Sequence, residues 1–207
     1  MYVPQHFAAD DVSARTFVEQ IIAADLVTRG VDGLVATFLP LIFEAAGGPL
    51  GSLLGHVARN NTQWRANLDT EALVIAHGGN GYVSPTWYAT KAEHGRVVPT
   101  WDYVTAHVYG ELVSHDDPAW VAGLVRRLTV RHETPRSHPW SVDDAPPDYL
   151  AGQLRAIVGV EVVISRVEFK AKLSQNRSAA DIDGVVAGFD EDGRPELARL
   201  VEHYRTD

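Results

Sequence analysis

The chain has 207 residues, 45% of them hydrophobic, with 27 acidic side chains against 18 Lys plus Arg for a formal charge of −9. That is enough apolar material for one large domain or two small ones. It contains no run able to span a bilayer and no basic-then-apolar signal pattern in the opening MYVPQHF. Cysteine is absent, which excludes disulfides, thiolate metal sites and cysteine nucleophiles; a cytoplasmic protein is expected.

In chain order, Asp10 or Asp11 caps an expected helix from Val12 to about Ala24, with Phe17, Ile21 and Ala24 on one face. Leu26–Thr28 reads as a strand and Asp32-Gly33 as a hairpin turn. Leu34–Glu44 is a long apolar strand, which Pro40 assigns to an edge or a bulge. Gly51–Val57 is a further strand, and the residues after it, Ala58–Trp64, read as a short helix or helical turn. Asp69 and Thr70 precede a strand over Ala72–His77, and Gly78-Gly79-Asn80-Gly81 reads as a turn into Tyr82. Arg96–Val113 is a long strand or strand pair with period two. Asp117-Pro118 opens a helix to about residue 133. After a loop holding Trp140, a helix over Pro147–Ile157 ends at Gly159. Val160–Leu173 alternates as a strand, Asp181–Val186 extends a helix, and Glu196–Tyr204 forms a last one. The expected fold is mainly β with flanking helices: one closed sheet in a single domain over 1–207, with an N-terminal helix, a helical insertion at about 117–158 and a C-terminal helical tail.

Three stretches can carry chemistry. Tyr82–Tyr103 (YVSPTWYATKAEHGRVVPTWDY) sets Trp and Tyr rings beside cationic and hydroxyl donors, which suits a flat anionic ligand; the alternative is a pair of strands whose rings cover a core edge. In Gly55–Asn61 (GHVARNN), His56 and Arg59 lie where a helical turn beginning at residue 57 would aim N–H groups at a phosphate; the alternative is a surface Arg beside a capped helix. Lys172–Arg177 (KLSQNR) ends a strand with five hydrogen-bond donors, or is a capped junction between strand and helix. No Walker loop, GxGxxG, HExxH or GxSxG occurs, so no metal site and no catalytic residue is assigned, Ser84 and Ser174 included. His56, His77 and His107 have no spacing that specifies a metal. The acidic charge opposes non-specific binding to DNA or anionic membrane, and no helix-turn-helix is present, so direct DNA contact is not expected.

The phrases MYVPQHF, GHVARNN, YVSPTWYATK, VVPTWDYVTAHVYG, LTVRHE, IVGVEVVISRVEFKAKLSQNR and D-x-x-G-V at 181–185 follow one another along nearly the whole chain. In this set the chain resembles the PaiB-type proteins, called FMN-binding negative transcriptional regulators, of the flavin-reductase-like split-barrel group. The resemblance implies an FMN-binding split β-barrel that forms a homodimer. By position, His56 and Arg59 would be phosphate-side ligands. Ser84, Trp87, Tyr88 and Lys91 would border the flavin, and Thr100, Trp101 and Tyr103 would line the same region. Lys172, Ser174, Gln175 and Arg177 would close it. The implied activities are a flavin-dependent oxidoreductase using a nicotinamide donor or another small molecule, or a flavin-responsive negative regulator. The alternatives are a direct DNA-binding regulator without redox catalysis, and an apo barrel holding another planar ligand such as haem, with His56 or His107 as the axial residue. The chain departs from the family pattern at Thr62 in place of proline, at Gly78-Gly79-Asn80 in place of Gly-Pro, and at Asp102 in place of asparagine.

Overall fold

The computed structural model describes residues 1–65 and 71–205; Asp69 and Thr70, expected just before a strand, lie outside them. Seven strands and six α-helices are described: β1 Ala23–Gly30, β2 Gly33–Pro40, β3 Ile42–Glu44, β4 Ser52–Ala58, β5 Ala72–Val83, β6 Thr100–His115 and β7 Ile157–Lys172, with α1 Asp11–Glu19, α2 Thr90–His94, α3 Pro118–Glu133, α4 Pro147–Arg155, α5 Ala179–Glu191 and α6 Pro195–His203. The strands form one sheet in the order β2-β1-β5-β6-β7-β4-β3. β1 pairs antiparallel with β2 and β5, and β4 with β3 and β7. The two edge strands β2 and β3 are consecutive in the chain, with only Leu41 between them, so the sheet curls back on itself. This is the split-barrel architecture, mixed α and β, with helices flanking an antiparallel sheet.

The chain divides into two compact units, Met1–Ala14 with His77–Ala106 and Glu168–Asp207, and Arg15–Ala76 with His107–Val167. The second unit holds β1 to β4, α3 and α4. The β1–β2 hairpin pairs Gly30 with Gly33 and leaves Val31-Asp32 as its two-residue turn, and Gly33 takes a φ of 123°, which a side chain would resist. Pro40 ends an edge strand, where its missing N–H costs no ladder bond. Asp117 caps α3 by accepting from the N–H groups of Ala119 and Trp120. Leu124 and Leu128 of α3 then bury against Ile42 and Leu54, with Trp120 at the margin. The Trp120 ring fills the space a side chain at residue 159 would need, 2.1 Å from an ideal Cβ. Gly159 therefore belongs to β7 rather than to a helix end. Trp120 also stacks on His115, whose Nε2 lies 2.8 Å from Glu161.

In the first unit the buried core is Val83, Val104, Phe169, Leu173, Ile182, Val185, Phe189, Leu197 and Val201. The expected turn at 78–81 is instead continuous strand within β5. Leu197 and Leu200 of α6 and Phe189 of α5 press on Gly79 and Gly81, within 2.6–2.9 Å of where Cβ atoms would stand. The glycines there admit helices rather than bend the chain. The last helix runs over Pro195–His203 and buries Leu197, Ala198 and Val201.

Candidate functional site

His56 and Arg59 belong to the second unit. His56 stands on β4 opposite Gly159. Its Nδ1 is buried without a hydrogen-bond partner, and burial lowers the imidazole pKa, so the ring is neutral at neutral pH. Arg59 lies just beyond β4, and no helix begins at residue 57; the first helical turn after it is a 3-10 turn at Thr62–Arg65. The backbone N–H of Arg59 is already committed to the Ala156 carbonyl, so the expected nest of free N–H groups is not there. The guanidinium is fixed by four hydrogen bonds to three groups. Nε donates to the Arg155 carbonyl at 2.6 Å, Nη2 to that of Ile157 at 3.2 Å, and both Nη atoms grip the Asp116 carboxylate at 3.0 and 2.6 Å. Hydrogen bonding to Asp116 raises the Arg59 pKa, and Arg59 lowers that of Asp116.

The other predicted residues all belong to the first unit, where several meet. β6 places Trp101 and Tyr103 on one face and Asp102 on the opposite one. Asp102 is fully buried. Its Oδ2 accepts from Ser174 Oγ at 2.8 Å, Lys172 Nζ stands 3.6 Å from Oδ1, and Oδ1 itself makes no hydrogen bond. Burial raises its pKa against the opposing pull of Ser174 and Lys172. Lys172 also donates to Thr100 Oγ1 at 2.8 Å and to the Trp101 carbonyl at 2.7 Å. Ser174 holds a φ of 65°, the only left-handed non-glycine residue among the described residues, and its hydroxyl is tied to Asp102 by a buried hydrogen bond. The Gln175 amide is spent at both ends, accepting from Leu173 N–H and donating to the Ala171 carbonyl. Of the donors in KLSQNR, therefore, Lys172, Ser174 and Gln175 build the turn and Arg177 is presented by it. The Arg177 guanidinium lies 4.6 Å over the Tyr88 ring; it acts on the Asp102 charge from a distance and makes no direct ion pair among the described residues. Tyr88 is buried; burial raises its phenol pKa and Arg177 opposes the shift.

The remaining residues have mixed surroundings. Ser84 caps the 3-10 turn Pro85–Trp87 by accepting from Thr86 N–H. Trp87 lies on α5, its ring 2.2 Å from an ideal Cβ at Gly188 and its carbonyl 1.9 Å from one at Gly184, and edge-on to Phe189. α5 is tied back by Asp181, which accepts from Thr90 N–H and Oγ1. Lys91 is exposed on α2. Trp101 is half-exposed, donates to Asn80 at 3.2 Å and meets the half-exposed Tyr82 edge-on. Sequence reasoning missed Asn80, Asp116 and Lys170. None has a motif, and each is identified only by what it touches.

The family model described as "Putative FMN-binding domain" matches residues 1–166, so the turn from Lys172 to Arg177 lies beyond the matched span. Over 209 residues the chain is 29% identical to the Bacillus subtilis protease synthase and sporulation protein PAI 2, covering 98% of this chain and 95% of that one. An Emericella nidulans protein is 32% identical over 190 residues, 76% of each chain. Among solved structures, the flavocytochrome Anf3 from Azotobacter vinelandii matches with a TM-score of 0.61 at 12% identity, over 82% of this chain and 72% of that one. The FAD and haem binding protein from Mycobacterium smegmatis matches with 0.56 at 15% identity, over 89% and 80%. At these identities the two structures bear on the fold alone.

Proposed function

Because the chain belongs to the FMN-binding domain family, we propose that it binds FMN as a homodimer and acts as a flavin-dependent oxidoreductase on a small oxidised molecule, with a nicotinamide as electron donor. The observation that carries this reading is Arg177, a guanidinium braced on a buried ring beyond a hydrogen-bonded turn, near enough to Asp102 to act on its charge but in no direct ion pair with it. Such a cation favours a neighbouring group that gains negative charge on reduction.

The donor set fits FMN in kind. Arg59 offers a planar guanidinium to a phosphate, provided Asp116, itself half-exposed, turns aside. His56 carries an uncommitted Nδ1. Trp101 and Tyr82 offer open aromatic surface for a flat ring. Bound FMN would supply reversible electron transfer; the chain's residues bind, orient and set the charge around it. The homodimer is supported by β2, an edge strand whose Leu34 and Phe38 are 80% and 68% exposed, apolar surface that a second copy would cover.

A second reading, a flavin-responsive negative regulator, draws on the printed name of the Bacillus subtilis relative, which concerns protease synthesis and sporulation. The acidic charge argues that such regulation would not act through direct DNA contact. Two measurements separate the readings. Bleaching of the bound flavin by NADH or NADPH, followed by reoxidation with an added acceptor, supports the enzyme. A flavin that neither donor reduces, with promoter activity that follows flavin supply, supports the regulator. Protein that stays colourless and takes up no FMN rejects both.

A further inference from the structure

Lys170 and Lys172 lie two residues apart on β7, and their surroundings differ sharply. Lys172 Nζ has three oxygen neighbours, on Thr100, Trp101 and Asp102. Lys170 is the more buried of the two, only 9% exposed, yet its ammonium has no carboxylate and no hydrogen-bond acceptor among the described residues. What surrounds it is aromatic: Tyr103 of β6 at 5.3 Å, and Tyr2 and Phe7 from the N-terminal segment at 6.0 Å each, measured to the ring centroids. Ring faces attract a cation, but they leave its three N–H donors uncommitted for solvent or a ligand oxygen. Of these rings, Tyr2 is 82% exposed.

We propose that Lys170 anchors an anion-binding site within this unit, taking a carboxylate or phosphate oxygen of a planar ligand whose flat body lies against Tyr2, Phe7 and Tyr103. The oxygen supplies the acceptor that Lys170 lacks, and the rings supply apolar contact for the remainder. Two sources share this chemistry: an aromatic or conjugated acid acting as substrate or effector, and the phosphate of FMN itself. All four residues lie in the first unit.

The test titrates flavin-free protein with benzoate and with benzamide, its uncharged isostere, and separately with FMN and with riboflavin. Wild type, Lys170→Met and Lys170→Arg are compared. An acid ligand predicts saturable benzoate binding, at least about tenfold weaker binding of benzamide, loss of benzoate binding in Lys170→Met and its retention in Lys170→Arg. FMN's phosphate as the occupant predicts no benzoate binding and a Lys170→Met variant that weakens FMN but not riboflavin. Either pattern supports the site and names its source. Wild type that binds neither benzoate nor FMN overturns the proposal without any variant. So does a folded Lys170→Met protein with both preferences unchanged. If FMN binds normally while Lys170→Met has no effect, this site fails and the flavin reading stands.

Discussion

Asp102 is the sharpest place to test the energetics, because a carboxylate with no solvent exposure stands there with one oxygen unbonded. Burial is the largest influence on its pKa and raises it; Ser174 and Lys172 pull the other way without prevailing. The folded protein therefore holds the proton more tightly than the unfolded chain does. Its contribution to stability is fully present below the unfolded pKa of about 3.9 and is lost as pH rises through the folded pKa. Replacement by asparagine removes that dependence. An asparagine amide can donate to Ser174 Oγ and turn its carbonyl toward Lys172, so the geometry survives. Lys172 keeps its hydrogen bonds to Thr100 and the Trp101 carbonyl, at 2.8 and 2.7 Å, and is itself partly solvated at 22% exposure, so the loss of a countercharge 3.6 Å away is partly compensated. Because burial outweighs the pull of Ser174 and Lys172 on the carboxylate, Asp102→Asn should stabilise at neutral pH by on the order of 1 kcal/mol, about 2–4 °C in melting temperature for a chain of this size. Urea denaturation at neutral pH and at pH close to 4 measures both terms. The advantage should shrink as pH falls. A variant less stable than wild type at neutral pH, or an equal difference at both pH values, would show that burial does not dominate the Asp102 carboxylate.

Other outcomes follow from single contacts. Gly184→Ala drives a methyl into the Trp87 carbonyl, 1.9 Å from an ideal Cβ, and should destabilise by about 1–3 kcal/mol. Gly123→Ala, with nothing within 4 Å in the interior of α3, should stabilise by about 0.5–1 kcal/mol; denaturant midpoints check the pair. Asp116→Asn frees the guanidinium face of Arg59 and should tighten FMN while leaving riboflavin unchanged, whereas Arg59→Ala should weaken FMN alone; calorimetric titration reads all four combinations, and equal effects on both flavins would remove the phosphate role. Phe38→Glu on the exposed face of β2 should halve the mass measured by light scattering, and an unchanged mass would place the dimer contact elsewhere.

Much of the fold can be read locally. The period-two alternation of β6 and β7 marks them as strands, and Asp117-Pro118 marks the start of α3, because these signals lie within a few residues of one another. Gly79 and Gly81 mislead for the opposite reason. Their requirement comes from Leu197, Leu200 and Phe189 more than a hundred positions away, and sequence alone reads a glycine run as a turn. The candidate site shows the same division. Arg177, Trp101 and Arg59 are recognisable as donors and rings. That Lys172, Ser174 and Gln175 spend their donors on their own turn, that Asp116 occupies Arg59, and that Lys170 stands without an acceptor depend on tertiary contacts that residue counting does not encode. Trp87 illustrates the limit most clearly: the same aromatic that borders a ligand by motif packs on the glycines of α5 by geometry.

Side-by-side titration of flavin-free protein with FMN and riboflavin, followed by the change in flavin fluorescence, shows whether the chain holds a flavin by its phosphate. FMN should bind saturably, and riboflavin more weakly because it lacks the phosphate. FMN that fails to saturate the protein at any concentration tried, or riboflavin bound as tightly as FMN, would contradict that reading.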